Sequence, residues 1–122
     1  AQCYLRDLYP TICELADVEV LPAVEATSLM PILRNELKEV YPFIIGYYHD
    51  QQRMIRMQNW KYIYYPKANR EQLFHLSADP HEMRDLSNSK RATRVKEQLR
   101  EEMIVWLQNH GDSMVSAVNS DE

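Results

Sequence analysis

Four strand-like segments joined by very short connections constrain the fold of this chain more than any other feature. β-Branched and aromatic residues dominate residues 41–48, and comparable segments follow at 52–57, 60–65 and 71–76. A parallel crossover needs about a dozen residues, so these segments can pair only as antiparallel neighbours. We therefore predict a four-stranded antiparallel meander, with a two-residue turn at 58–59 in which Asn59 suits a positive φ.

A long amphipathic helix is predicted after the strands, over about residues 89–109. Its apolar residues recur at spacings of three and four residues and form one stripe: Ala92, Val95, Leu99, Met103, Trp106 and the adjoining Leu107. Gly111 is expected to end it. Because one face of an antiparallel sheet must be covered, residues 41–110 are predicted to form an α+β layer pair. Residues 111–122 lack periodicity and are predicted to be a flexible tail.

Two short helices are predicted within residues 1–40. Pro10 fixes φ near the start of the first, and Asp17 follows its end at a position where left-handed glycine is common. The second spans about residues 28–34, with Thr27 or Ser28 as its cap and Pro31 in its first turn. These helices have no sheet of their own to pack against. We therefore expect them to belong to a larger domain.

Composition excludes several kinds of site. Only Gly46 and Gly111 are glycines, so glycine-rich phosphate loops and the G-x-S-x-G nucleophile turn are absent. Cys3 and Cys13 have neither zinc spacing nor a disulfide framework. The apolar runs are too short to cross a membrane, and residues 1–7 lack the layout of a signal peptide. The net charge of −4 argues against a general nucleic-acid binder.

Histidines and acids after the last strand raise the question of a metal site. Asp79 and Pro80 match a helix N-cap and the first helical position, and Glu82 can complete a capping box. The spacing around His81 is not that of the H-E-x-x-H zinc motif. We therefore predict a capped structural turn, and no metal ligands, at residues 79–82.

Residues 51–70 are the strongest candidate for a binding surface. They contain no acid and five basic residues, namely Arg53, Arg56, Lys61, Lys67 and Arg70, interleaved with four aromatic ones. Three interpretations remain open: a core shielded by Lys and Arg stems, the rim of an anionic substrate site, or a platform on which nucleic-acid bases stack. At the preceding turn, His49-Asp50 is either an acid–base pair or a polar turn.

Three segments taken in order resemble the type I sulfatases, a formylglycine-dependent, alkaline-phosphatase-like family of sulfuric ester hydrolases. Residues 7–16 (DLYPTICELA) are similar to the family's D-[IL]-x-P-T…x-L-A-G helix, and residues 24–33 (VEATSLMPIL) to its G-x-S-L-x-P-L-L segment. Residues 53–63, 72–76 and 79–82 are similar to its R-x-I-R…x-K-x-I…E-L-[FY]-D-L-x-x-D-P-x-E ending. Asp17, Glu25-Ala26 and His75 depart from the family pattern.

The resemblance implies that this chain carries no catalytic residue and no metal ligand. Residues 1–40 would be the trailing end of the larger α/β catalytic domain, and residues 41–110 its C-terminal α+β subdomain. Formylglycine forms in a C/S-x-[PA]-x-R motif, which neither Cys3 nor Cys13 matches, so formylglycine and calcium are expected in a preceding N-terminal part. The chain alone is then expected to be inactive.

The same resemblance suggests partners and a candidate site. The expected partners are the N-terminal sulfatase domain and, through the full enzyme, a sulfated small molecule or glycan. Since the small sheet of such enzymes can wall the substrate pocket, we place His49 and Arg53 at the substrate rim. The alternative is a free-standing module that binds anions or single-stranded nucleic acid through the basic aromatic sheet at residues 51–70.

Overall fold

The computed structural model describes residues 1–119, and the chain divides after Ile44 into two compact units. Unit 1 ends at Ile44, a few residues later than the domain boundary expected after residue 40, and unit 2 begins at Ile45. Residues 120–122, the end of the predicted tail, lie outside the described residues.

Unit 1 contains two helices, α1 (Leu8–Leu15) and α2 (Met30–Leu33), and a short 3-10 turn at Leu5–Asp7. Asp17 follows α1 with a φ of 55°, the left-handed conformation predicted for it. The N–H of Val18 donates to the carbonyl of Cys13 at 2.9 Å and closes the helix end. Helix α2 is shorter than predicted and its N-cap position is Leu29, but the predicted cap residue Ser28 accepts a hydrogen bond from the N–H of Met30 at 3.2 Å.

A buried carboxylate organises unit 1. Asp7 is fully buried, and its side chain accepts hydrogen bonds from the N–H of Tyr4 at 2.7 Å, the N–H of Thr27 at 3.2 Å and the hydroxyl of Tyr41 at 2.7 Å. The hydroxyl of Thr11 donates to the Asp7 carbonyl at 2.6 Å. A buried polar group needs such partners to avoid a desolvation penalty. Asp7 therefore ties the start of α1 to two later segments of the unit.

Large apolar side chains of unit 1 remain on its surface. Exposure reaches 84% for Leu5, and several more residues are exposed: Leu8, Tyr9, Ile12, Leu15, Val18, Leu21, Leu33 and Leu37. Exposed apolar side chains in such number on a folded unit are typical of a place where another surface packs. The helices therefore leave their apolar side chains uncovered, as the sequence pattern suggested.

Unit 2 is built on the predicted meander. The strands are β1 (Phe43–Tyr48), whose first two residues are the last of unit 1, β2 (Gln52–Met57), β3 (Trp60–Tyr65) and β4 (Arg70–His75), in the order β1-β2-β3-β4. In the antiparallel register, Ile55 lies opposite Tyr62, which in turn lies opposite Leu73. The prediction for the turn between β2 and β3 was wrong in one detail, because the positive φ of 52° belongs to Gln58 and not to Asn59.

Helix α3 (Thr93–Asn109) covers one face of this sheet, as predicted, and packs on β2 and β3. Leu99, Met103 and Leu107 are fully buried. Gly111 follows the helix with a φ of 64°, which confirms the predicted stop. Trp106, expected within the apolar stripe, is instead half-buried and stacks on His110 with their ring centroids 3.7 Å apart.

The segment after α3 differs from the predicted flexible tail. A further helix, α4 (Val115–Asn119), carries Val118, which is fully buried. The Val118 carbonyl accepts hydrogen bonds from Arg100, at 2.7 Å from Nη2, and the Ala117 carbonyl accepts one from the Tyr64 hydroxyl at 2.9 Å. These contacts hold residues 112–118 against the rest of unit 2, although the segment is too short to show helical periodicity.

The predicted capping box at residues 79–82 does not form. Asp79 accepts hydrogen bonds from the N–H groups of Met83 at 3.1 Å and Arg84 at 2.7 Å, beyond the positions of an N-cap contact. Glu82 has a φ of 54°, which no helix accommodates, and its carboxylate binds Lys61 of β3 at 2.7 Å. The turn is structural: Asp79 holds its backbone through the N–H groups of Met83 and Arg84, and Glu82 ties it to β3.

Candidate functional site

An open depression beside the β1–β2 turn contains both residues singled out in the sequence. Its volume is about 550 Å³, and it is lined by Tyr47, Tyr48, His49, Arg53, Asp112 and Ser113. Strands β1 and β2 and the turn between them supply the first four of these residues, and the turn after α3 supplies the last two. The depression therefore joins segments that are far apart in sequence.

Arg53 lies within the floor of the depression with only 4% of its surface exposed. Its Nε and Nη2 atoms donate to the two carboxylate oxygens of Asp112 at 3.0 and 2.9 Å. Its Nη1 atom donates to the carbonyls of His49 at 2.6 Å and Gln52 at 2.9 Å. All three guanidinium nitrogens thus bind protein acceptors in the fork geometry that favours arginine. Arg53 holds the β1–β2 turn against the turn after α3.

Asp112 completes this interaction and also positions α4. Its Oδ1 atom accepts a hydrogen bond from the N–H of Met114 at 2.8 Å, one residue before α4 begins. Burial by itself raises the pKa of the Asp112 carboxyl, but the hydrogen bonds from Arg53 and Met114 outweigh it, and the pKa is lowered. The carboxylate is therefore ionised and paired at neutral pH.

His49 lies at the exposed edge of the depression. It has a φ of 45°, and its ring makes an edge contact with Tyr48 at a centroid distance of 4.7 Å. The neighbouring Asp50 pairs with Lys67 at 2.7 Å, and that hydrogen bond lowers the pKa of Asp50. Of the two interpretations of His49-Asp50, this pairing favours the polar turn.

The basic aromatic segment is largely occupied by its own contacts. Three of its cations are paired: Arg53 with Asp112, Lys61 with Glu82 and Lys67 with Asp50. Tyr62 and Tyr64 are buried in the core of unit 2. Base stacking on single-stranded nucleic acid requires exposed rings beside unpaired cations. The structure therefore favours the interpretation of residues 51–70 as a shielded core.

A partly buried polar cluster that sequence reasoning missed lies between the sheet and α3. The Tyr62 hydroxyl donates to Glu71 of β4 at 3.0 Å, and Lys96 of α3 forms an ion pair with the same carboxylate. Burial, followed by the charge of Glu71, raises the pKa of Tyr62. Since the three side chains satisfy one another, the cluster ties β3, β4 and α3 together.

The described residues do not fit the cofactors of the sulfatase family. Across residues 1–119, no three His, Cys, Asp or Glu side chains come together in a way that could hold a metal ion. Cys3 is exposed and Cys13 is buried, and neither stands in the formylglycine motif. We therefore derive no step through calcium or formylglycine for this chain. None of the helices described in residues 1–119 is long and apolar enough to span a membrane.

Sequence comparisons give one family and several relatives. Residues 4–109 match the family described as "N-sulphoglucosamine sulphohydrolase, C-terminal". The chain is 31% identical over 97 residues to a Delta 4,5-hexuronate-2-O-sulfatase of Bacteroides thetaiotaomicron, covering 73% of this chain and 20% of that protein. It is 32% identical over 97 residues to arylsulfatase K of Gallus gallus, covering 68% and 18% respectively. The chain thus spans about a fifth of these curated relatives.

A solved structure described as a 2-O GAG sulfatase has the same fold over nearly the whole chain. The TM-score is 0.75 and the sequence identity 26%, with 93% of this chain and 28% of that chain covered.

Proposed function

The chain belongs to the sulfatase family, as a C-terminal part, and on this premise we propose that it supports sulfate-ester hydrolysis by a catalytic domain that precedes it in the full enzyme. The observation that carries this proposal is the match of residues 4–109 to a family defined by the C-terminal region of sulfatases. In this proposal the chain alone has no sulfatase activity, and formylglycine and calcium are held by the preceding domain.

The surface of unit 1 supports this arrangement. Leu5, Ile12 and Leu15 are each at least 60% exposed, although a soluble unit normally buries such side chains. Burying an exposed leucine contributes about 1.5–3 kcal/mol, so several such residues make a substantial interface. We propose that the preceding domain covers them. The same interface then fixes unit 1 within the full enzyme.

We propose a sulfated glycan as the substrate class of the full enzyme. Two relatives support this choice by their descriptions, which name a Delta 4,5-hexuronate-2-O-sulfatase and a 2-O GAG sulfatase. Within the chain, the site proposed to face this substrate is the depression beside the β1–β2 turn.

In this site we assign different tasks to the two candidate residues. His49 is exposed at the edge of the depression, and we propose that its imidazole lines the substrate pocket. Arg53 is buried and bound to Asp112, so its charge is already paired. We therefore propose that Arg53 is a positioning residue, which holds the carbonyl of His49 and through it the turn.

The proposal that only the preceding domain is catalytic is tested with the full enzyme and this chain, expressed separately. Sulfate release is measured from 4-nitrophenyl sulfate and from a 2-O-sulfated heparin disaccharide. Sulfate release by the full enzyme, and none by the chain, is the expected result. Release by the chain alone, or no release from either ester by the full enzyme, would contradict the proposal.

The role of His49 is tested in the full enzyme by His49→Ala, with His81→Ala as a matched control. Both histidines are exposed in unit 2, but His81 does not line the depression. We expect His49→Ala to raise KM for the sulfated disaccharide and His81→Ala to leave it unchanged. Equal KM values for wild type and His49→Ala would contradict the proposal that His49 lines the substrate pocket.

A further inference from the structure

We propose that residues 112–118, here called the α4 segment, are a positioning element of the full enzyme, which holds the β1–β2 turn in the place where His49 meets the substrate. Because this task concerns the depression assigned to the substrate, the proposal rests on the proposed function. It goes further by giving a task to Tyr64, Arg100 and Val118, none of which lines the depression. A continuous series of hydrogen bonds within unit 2 carries this task.

The far end of the α4 segment is anchored to the core of unit 2. Val118 is fully buried, and its carbonyl accepts hydrogen bonds from Arg100 of α3, at 3.1 Å from Nε and 2.7 Å from Nη2. The carbonyl of Ala117 accepts a hydrogen bond at 2.9 Å from the hydroxyl of Tyr64, a buried residue of β3. Hydrogen bonds from a charged donor are stronger than neutral ones. Helix α3 and strand β3 therefore fix this end of the segment together.

The near end of the α4 segment is Asp112, and hydrogen-bonded turns connect it to the anchored end. The N–H of Val118 donates to the carbonyl of Met114 at 3.1 Å, and the N–H of Val115 donates to the carbonyl of Asp112 at 3.3 Å. Backbone groups joined in this way have little freedom to move separately. A displacement of Val118 is therefore passed on to Met114 and Asp112.

The α4 segment determines the direction of the Asp112 carboxylate and not the position of the Asp112 backbone. The Asp112 N–H donates to the carbonyl of Leu107 at 2.9 Å, so the end of α3 already fixes the backbone. The side chain is fixed from the other side, because its Oδ1 atom accepts hydrogen bonds from the N–H of Met114 at 2.8 Å and from Nη2 of Arg53 at 2.9 Å. Since one oxygen serves both donors, a shift of Met114 changes the geometry of the Arg53 contact.

Arg53 passes this orientation on to the β1–β2 turn. Its Nη1 atom donates to the carbonyl of His49 at 2.6 Å, while Nε and Nη2 donate to Asp112. His49 has a φ of 45°, a left-handed conformation that is unfavourable for residues other than glycine and persists only where surrounding contacts hold it. The guanidinium is planar and rigid, so its contact with Asp112 limits where the His49 carbonyl can lie. The position of His49 therefore depends on the α4 segment.

The test uses the full enzyme with two variants that weaken the anchors, Arg100→Gln and Tyr64→Phe. Hydrogen exchange of residues 47–53 is measured by mass spectrometry, together with KM and kcat for the 2-O-sulfated heparin disaccharide. A hydrogen bond typically shifts a local equilibrium by about two- to tenfold. In both variants we therefore expect exchange in residues 47–53 to become about fivefold faster and KM to rise about threefold, with kcat within about twofold of wild type.

Each anchor variant has a matched control. Arg94→Gln changes an exposed arginine of the same helix. Tyr65→Phe removes a hydroxyl from the same strand, which donates to Gln72 at 3.0 Å and not to the α4 segment. Both controls should leave the exchange of residues 47–53 and the KM unchanged. Thermal unfolding of every variant checks that the fold is intact.

The Asp112→Ala background separates positioning of the turn from general support of the core. Asp112→Ala removes the link between the α4 segment and Arg53, so a second change at Arg100 has no route to the turn. Arg100→Gln should then accelerate exchange of residues 47–53 by less than about 1.5-fold, since coupled changes are not additive. If the α4 segment only covered the core, the two changes would act additively.

Three results would overturn the proposal. The first is unchanged exchange of residues 47–53 in both anchor variants, and the second is equal acceleration by the controls. The third is equal acceleration by Arg100→Gln with and without the Asp112 carboxylate. The first two decide even where Asp112→Ala does not fold. Faster exchange in the anchor variants with unchanged KM would contradict the proposed role of His49 and leave the α4 segment as the support of the turn, so the two proposals fail separately.

Discussion

The ion pair between Arg53 and Asp112 allows a sharp test of the packing of unit 2. Both side chains are largely withdrawn from water, with 5% and 15% of their surfaces exposed. Removing one partner of a buried pair costs about 3–5 kcal/mol, because the other charge is left uncompensated. Since Arg53 keeps its two carbonyl acceptors and Asp112 is partly wet, we expect Asp112→Asn to lower the free energy of unfolding by about 2–3 kcal/mol.

Urea denaturation followed by tryptophan fluorescence measures this effect. The only tryptophans of the chain are Trp60 and Trp106, and both belong to unit 2, so the signal reports on the unit that contains the pair. With an m-value of about 1 kcal/mol/M, the midpoint should fall by about 2–3 M. The measurement is made on this chain, in which both tryptophans belong to unit 2.

The pH dependence of the same variant gives an independent check. The pKa of Asp112 is lowered in the folded state, so the pair contributes stability above the ordinary aspartate pKa of about 3.9 and loses it as pH falls through the lower folded value. Asparagine does not titrate. The difference between wild type and Asp112→Asn should therefore be full at pH 6 and shrink steadily below about pH 4.

Two control variants make the reasoning refutable. Asp50→Asn breaks the exposed pair with Lys67, whose side chains are 52% and 62% exposed, and should leave the midpoint unchanged. Arg53→Met combined with Asp112→Leu replaces both charges by apolar groups and should be more stable than Asp112→Asn. An Asp112→Asn midpoint equal to that of wild type, at pH 6, would show that the pair does not stabilise unit 2.

Four other outcomes are expected. Tyr62→Phe should cost about 1–2 kcal/mol by removing the hydrogen bond to Glu71, and absorbance titration should show one more late-ionising tyrosine in wild type than in Tyr62→Phe, since burial raises the pKa of Tyr62. Gly111→Ala should cost about 1–2 kcal/mol in urea unfolding, from its φ of 64° alone, because an added Cβ meets no atom within 4 Å. Asp7→Asn should accelerate hydrogen exchange of the α1 amides, because an amide cannot accept all three donors. Burial raises the pKa of Asp85, but hydrogen bonds from backbone N–H groups outweigh it, and the pKa is lowered. Wild type should therefore lose stability as the pH falls from about 5 to about 3, and Asp85→Asn should lose less, as measured by the urea midpoints of both proteins.

The parts of the fold that were predictable from sequence are those that local geometry decides. A two-residue connection between residues 57 and 60 allows only a hairpin, and β2 and β3 have the predicted bounds. The long helix was recognisable because its buried residues Leu99, Met103 and Leu107 recur at helical spacing. In both cases the structure is determined by residues that are close together in sequence.

The candidate site was only partly predictable because its main interaction is not local. Arg53 stands among other basic residues, and nothing near it in sequence indicates that its partner is Asp112, 59 residues later. Glu82 misled the prediction in the same way, since its spacing from Asp79 fits a capping box while its actual partner is Lys61. Helix α4 is too short for its fully buried residue, Val118, to give a periodic signal.

The contact between Arg53 and Asp112 also has a consequence for the order of folding during synthesis. The β1–β2 turn leaves the ribosome well before Asp112. The Arg53 guanidinium, which holds this turn, therefore has no carboxylate partner until α3 and the turn after it have been synthesised. Contacts of such long sequence separation close late in folding, after local hairpins. The edge of the proposed substrate pocket would therefore be one of the last parts of unit 2 to acquire its final shape. A nascent chain that stopped at residue 110 would contain all four strands of the sheet but would lack the Asp112 carboxylate that holds Arg53 and the β1–β2 turn.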